Sequence, residues 1–193
     1  MYHVVGCNPF YVPLLGTGLP IIGEVWSLVH HDAPMRVGGD AKVPEEVTKQ
    51  SFRLKVWRHL ETNGLAMFPR PVYNRIPNFK GAQEAAANLA KLDVFKNAKT
   101  VKVNPDKPQE PKMYQIQKMQ KQKSLFGYRI GKGKGYGDLE FGLMMHMKAI
   151  KPETLVVTTV HDCQVFDTLP AELFGPHDVP IDIIITPTQV FFF

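Results

Sequence analysis

Cysteine is scarce in this chain: Cys7 and Cys163 are the only two among 193 residues, and they stand far apart. That excludes a disulfide-stapled scaffold and leaves no Cys-x-x-Cys metal spacing. The two are expected as free thiols of a reducing compartment, which points to the cytosol. Long uninterrupted apolar runs are lacking as well. The most apolar stretch, Phe10 to Val29, is broken by Pro13, Pro20, Glu24, Gly16, Gly18 and Gly23. A membrane span of about 20 residues rarely carries two prolines and a glutamate, so no membrane partner is expected. Met1-Tyr2-His3 provides no basic lead-in for a secretory signal. Residues 1–41 are therefore expected as an atypical, disordered extension. No aromatic RNP-like segment is present, which excludes an RNA-recognition motif.

What is there has a globular balance. Hydrophobic residues make up 44%, and the length suits one domain. The net charge is +5, yet residues 96–134 hold ten lysines and Arg129 against only Asp106 and Glu110. A basic centre in an otherwise mildly acidic chain suggests phosphate-bearing ligands or nucleic acid, and it also suits a solvated lysine-rich surface.

The most informative stretch is Arg129-Ile130-Gly131-Lys132-Gly133-Lys134-Gly135-Tyr136-Gly137-Asp138. Glycines let backbone N–H groups converge on one point, and a helix N-terminus behind them adds its own unpaired donors. Lys132 and Lys134 add positive charge, and Asp138 is placed to hold a divalent cation. These properties describe a phosphate cradle, although alternating glycine and lysine also make ordinary loops.

Elsewhere the pattern alternates helix and strand. A helix is expected from Lys42, with Pro44, Glu45 and Glu46 in its first turn, Val47, Leu54 and Trp57 on its apolar side, and a stop at Asn63-Gly64. Lys49 and Arg53 are four apart and share a face. A proline-punctuated connector covers 65–80, an alanine-rich helix Ala82 to Lys91, and a short strand Thr100 to Val103. An amphipathic helix is expected over Lys107 to Ser124. Asp138 to Ile150 is expected as a helix whose core face is Leu139, Leu143 and Met147, with Met144 and Met145 as core filler and His146 beside the stripe. Leu155 to Val160 and Ile181 to Thr186 are expected as strands buried on both sides. His161-Asp162 then falls at the carboxyl end of a strand, where open α/β sheets bind ligands. The order predicts an α/β fold, a mostly parallel sheet with helices on both faces.

The glycine loop, Lys49-Gln50-Ser51-Phe52-Arg53 and His177-Asp178 before Asp182 together resemble the 5-formyltetrahydrofolate cyclo-ligase family. That family has a K-x-S-x-R-like start on its first helix and a late R-[LI]-G-x-G-x-G-Y-Y-D loop. Phe68-Pro69-Arg70-Pro71-Val72, Arg75 to Gly81, Val103 to Pro108 and Val160 to Val165 resemble one branch of it, usually completed by an RNA-recognition motif. The resemblance covers about residues 42–111 and 126–190. It implies that Lys49 and Arg53 contact the phosphates of ATP and that Arg129, Gly131, Lys132, Gly133, Gly135 and Tyr136 form the nucleotide loop. Lys132, Gly133, Gly135 and Tyr136 would also border a folate, and Asp138 and Asp178 would hold Mg²⁺. The implied reaction is ATP-dependent cyclisation of 5-formyltetrahydrofolate to 5,10-methenyltetrahydrofolate. The alternative is a non-catalytic RNA-binding or regulatory protein of the same fold, with Lys118, Lys121 and Lys123 as RNA contacts.

The chain departs from the family pattern in three places. Gly137 stands where the second tyrosine would, and Lys134 replaces a glycine. Pro111 is followed after a short Lys/Gln-rich stretch by Phe126-Gly127-Tyr128-Arg129, where relatives have dozens more residues. Residues 42–193 are thus expected as an incomplete cyclo-ligase-like domain with central strands missing.

Overall fold

A computed structural model describes residues 3–7, 9–12, 47–98, 101–104 and 127–193. In chain order these form strands β1 (His3–Val5) and β2 (Phe10–Val12), helix α1 (Lys49–Thr62), strands β3 (Ala66–Met67) and β4 (Asn78–Phe79), and helices α2 (Ala82–Lys91) and α3 (Asp93–Lys96). Then come β5 (Tyr128–Ile130), α4 (Tyr136–His146), β6 (Leu155–Thr159), β7 (Val165–Phe166), β8 (Ile183–Ile185) and β9 (Val190–Phe192). The expected helix over Lys107 to Ser124, the helix start at Lys42 to Glu46 and the apolar stretch beyond Val12 lie outside the described residues.

Where β-branched residues are densest, the chain forms its most buried strands. Every residue of β6 (LVVTT) and β8 (III) is buried, and the two pair in parallel from Val157 opposite Ile183 to Thr159 opposite Ile185. Antiparallel β2 and β9 flank them, giving the order β2-β6-β8-β9. A second sheet has the order β5-β1-β7, with β1 parallel to β5 and antiparallel to β7. The result is α/β with mixed sheets, not the mostly parallel sheet expected: two described pairings are parallel and four antiparallel.

The N-terminal residues are the largest difference from expectation. Residues 3–7, 9 and 11 are buried, and β1 occupies the interior position between β5 and β7. Expected as part of a disordered extension, this stretch is built into both sheets: Val4, Cys7 and Tyr11 pack with Val156, Ile181 and Ile184, while Val5 packs with Trp57, Leu60 and Ile130. The physical reason is the alternation of short β-formers around Gly6, whose φ of +74° turns the chain from one sheet to the other.

Helix α1 starts later than expected. Thr48 is its N-cap, its hydroxyl accepting from Ser51 N–H at 3.1 Å in a reciprocal capping box with the Ser51 hydroxyl. Val47 therefore precedes the helix and is exposed, and the buried face is Val56, Trp57 and Leu60. Helix α2 spans the expected residues and buries Ala82, Ala85, Ala86 and Leu89 against β6 and β8. Of the strand expected over 100–103, the described residues 101–103 form a single bridge, from Lys102 to Tyr11. Helix α4 turns the stripe Leu139, Leu143 and Met147 outward, all more than half exposed, and packs inward through Phe141 and Met144 instead. Its sequence YGDLEFGLMMH has apolar residues all round, so periodicity alone does not choose the buried face. Among the described residues no helix is long and apolar enough to cross a membrane.

Candidate functional site

The two basic residues in the first turns of α1 converge on the loop between β5 and α4. Arg53 Nε donates to the Gly131 carbonyl at 2.8 Å, and its guanidinium lies against Gly133. Burial lowers its pKa from the ordinary arginine value. Lys49 Nζ reaches Asp178 Oδ1 at 2.5 Å and lies 5.1 Å from the centre of the Phe174 ring. Asp178 is held below the usual carboxylate range: burial opposes this, but hydrogen bonds from Lys49 Nζ and Gly175 N–H outweigh it, with the charges of Lys49 and His177 adding.

Arg129 is the other arginine of the site, and it is 4% exposed. Its guanidinium passes between Gly131 and Gly137 and pairs with Asp138 Oδ1 at 2.5 Å. A Cβ on Gly137 would sit 2.8 Å from Arg129 Nη2, so any larger residue here has to shift the guanidinium from the place it occupies. Gly135, with φ of +69°, is the N-cap of α4 and uses the left-handed region that glycine adopts without penalty. Thus the alternating glycines have separate causes: room for Arg129, room for Arg53, and the turn into α4. Arg129 Nε is buried without a hydrogen-bond partner.

These groups enclose a cavity of about 160 Å³, lined by Lys49, Arg53, the whole run Arg129–Asp138, His177 and Asp178. Five lysines or arginines face it against two aspartates, and the first turn of α4 presents its unpaired N–H groups there. Drug-sized ligand pockets hold roughly 300–1,000 Å³, so the cavity is suited to a group of the size of a phosphate chain. The site thus favours an anion on two grounds: side-chain charge, and the N-terminus of α4 with its unpaired N–H groups.

The donors for a divalent cation are fewer. Asp138 accepts from Arg129 and from Val179 N–H on the same oxygen, Oδ1, and its Oδ2 takes part in neither contact. Among the described residues no group of three or more His, Cys, Asp or Glu is placed to hold a metal ion by itself. Mg²⁺ is commonly bound by one or two carboxylates completed by phosphate oxygens and water. Asp138 and Asp178 therefore fit Mg²⁺ that arrives with a polyphosphate, and they do not form a cage of their own.

All ten residues singled out from the sequence, Lys49, Arg53, Arg129, Gly131, Lys132, Gly133, Gly135, Tyr136, Asp138 and Asp178, line this one cavity. Arg129 differs from the rest in being wedged under the loop. His177, which the sequence marks only as the neighbour of Asp178, also lines the cavity. His161 and Asp162 lie elsewhere: His161 caps a 3₁₀ turn (Asp162–Gln164), and Asp162 accepts from Thr188 Oγ1 at 2.6 Å. Burial lowers the pKa of His161 and pushes the neighbouring Cys163 thiol up to about 11. No disulfide joins it to Cys7.

Residues 123–187 match the 5-formyltetrahydrofolate cyclo-ligase family. Methenyltetrahydrofolate synthase domain-containing protein of Mus musculus is 36% identical over 206 residues, covering 76% of this chain and 55% of its own. The Homo sapiens protein of that name is 36% identical over 206 residues, with shares of 75% and 53%, and the Danio rerio protein 35% over 211 residues, with 77% and 54%. The chain spans about half the length of these curated relatives. No solved structure matches it.

Proposed function

We propose that this chain, which belongs to the 5-formyltetrahydrofolate cyclo-ligase family, binds Mg-ATP at the glycine loop and uses it to cyclise 5-formyltetrahydrofolate to 5,10-methenyltetrahydrofolate. The observation that carries the reading is the convergence of Lys49, Arg53, the loop 131–135 and the N-terminus of α4 on one cavity. In this reaction the γ-phosphoryl passes to the formyl oxygen, N10 attacks the activated carbon, and inorganic phosphate leaves with that oxygen. No protein nucleophile is required. The chain's task is to position the phosphates and neutralise charge on the transferred group. Lys49, released from Asp178, and Arg53, held at Gly131, supply positive charge, and the α4 N-terminus supplies backbone donors. Asp138 and Asp178 would hold Mg²⁺, which supplies further neutralisation of the phosphate oxygens. Lys132, Gly133, Gly135 and Tyr136, which line the same cavity, would border the folate.

The RNA-binding alternative rests on Lys118, Lys121 and Lys123, which lie outside the described residues, and no described feature favours it. A cytosolic setting suits the reading, as do a folate substrate and the absence of a disulfide. The relatives match over more residues than the share of this chain they take up, which supports a shortened connection inside the domain. Calorimetry with Mg-ATP, followed by an absorbance assay for methenyl-folate, tests the proposal. Binding without turnover would keep the nucleotide site and remove the ligase activity; a folded sample that binds neither ligand would remove both.

A further inference from the structure

Tyr11 belongs to the N-terminal stretch, yet its hydroxyl ends at the glycine loop. It is fully buried, and it donates to the Gly137 carbonyl at 2.9 Å. That carbonyl sits in the first turn of α4 and has a second lone pair free for an outside donor. The ring is held from two further sides. Lys102 Nζ stands 5.5 Å from its centre while pairing with Glu140 of α4, and the Phe141 ring lies 5.6 Å away. The same N-terminal stretch grips the other end of the loop. Gly6 N–H donates to the Ile130 carbonyl at 2.6 Å, and Val4 and Val5 pair with Arg129 and Ile130. Both ends of the segment from Ile130 to Gly137 are therefore fixed by residues 3–11.

We infer that Tyr11 is a positioning residue for the phosphate cavity: its hydroxyl sets where the first turn of α4 points its N–H groups, so anion binding depends on the N-terminal strands. The inference rests on the nucleotide reading for its ligand, but not for its geometry. Burial also raises the Tyr11 pKa far above neutrality, so the donor keeps its proton. A side chain that merely filled the core would act on stability alone, whereas this one acts through a hydrogen bond to the loop itself.

Tyr11→Phe keeps the ring and its contacts and removes the hydroxyl. Two readouts on the full chain separate the roles. Hydrogen exchange of the peptide covering Gly131 to Phe141 should quicken about two- to tenfold, the equivalent of one hydrogen bond, while α2 exchanges as before. The Kd for Mg-ATP should rise by about the same factor. Leu89→Val, which trims the core at α2, serves as the control and should lower the melting temperature without moving either readout. Unchanged exchange of 131–141 in Tyr11→Phe would overturn the positioning role, as would an unchanged Kd in a protein that binds. Failure of the unaltered chain to bind Mg-ATP would overturn the nucleotide reading, and exchange would then decide the positioning role alone.

Discussion

Two ion pairs flank the same cavity with opposite burial. In Lys49–Asp178 the acid is the hidden member, its side chain 8% exposed against 25% for the lysine. In Arg129–Asp138 the cation is hidden, 3% against 23%. The difference assigns roles that charge alone does not. Lys49 is a flexible ammonium at the cavity wall, and the proposed function asks it to exchange a carboxylate for a phosphate. Arg129 is a planar fork clamped by two glycines, and its task is to fix the loop and aim Asp138. Asp178 anchors, with Gly175 N–H and Lys49 on its two oxygens. Asp138 keeps one oxygen outside its contacts.

The comparison is broken most severely at the buried cation. Arg129→Met should cost about 3–5 kcal/mol in urea unfolding, because it strands Asp138 and empties the space between Gly131 and Gly137. Gly137→Ala should cost about 1–3 kcal/mol, since its Cβ has to displace the Arg129 guanidinium, and it should weaken ATP binding in parallel. Lys49→Met should show the opposite balance. Its effect on unfolding should be about 1–3 kcal/mol, because the hidden Asp178 carboxylate keeps only the hydrogen bond from Gly175 N–H, while the Kd for Mg-ATP rises about tenfold or more through the lost charge-assisted bond. Equal effects of Lys49→Met and Arg129→Met on stability would erase the distinction.

The smallest effect is on acid stability. Asp178 has a folded pKa below its ordinary 3.8, so its contribution is complete above that value and is lost as the pH falls through the lowered pKa. Asp178→Asn should flatten that part of the stability curve below about pH 4 and leave the Arg129–Asp138 pair intact. A parallel acid limb in both proteins would show that Asp178 is not stabilised by Lys49.

Much of the site was legible because its causes are local. Lys49 and Arg53 are four apart, which puts them on one helix face, and Gly, Lys and Asp in one short run announce an anion loop. Helix α2 and strand β6 were legible for the same reason: alanine-rich and β-branched runs decide their own structure. The N-terminal strands were not, since three residues such as His3-Val4-Val5 become a strand only when β5 and β7 stand on either side. Helix α4 was misoriented because Phe141 and Met144 compete with Leu139 and Leu143 for the core, and Tyr11, far away in sequence, settles the choice. The wedged position of Arg129 under the loop is not legible, because it depends on Gly131 and Gly137 closing around its guanidinium.

The most direct measurement is calorimetric titration of the full chain with Mg-ATP, side by side with Lys49→Met, at a temperature where circular dichroism shows both folded. A single site in the unaltered chain, weakened about tenfold or more in the variant, is the predicted result. No binding heat from the folded chain, or equal affinity in both, would contradict the assignment of this loop as a nucleotide site.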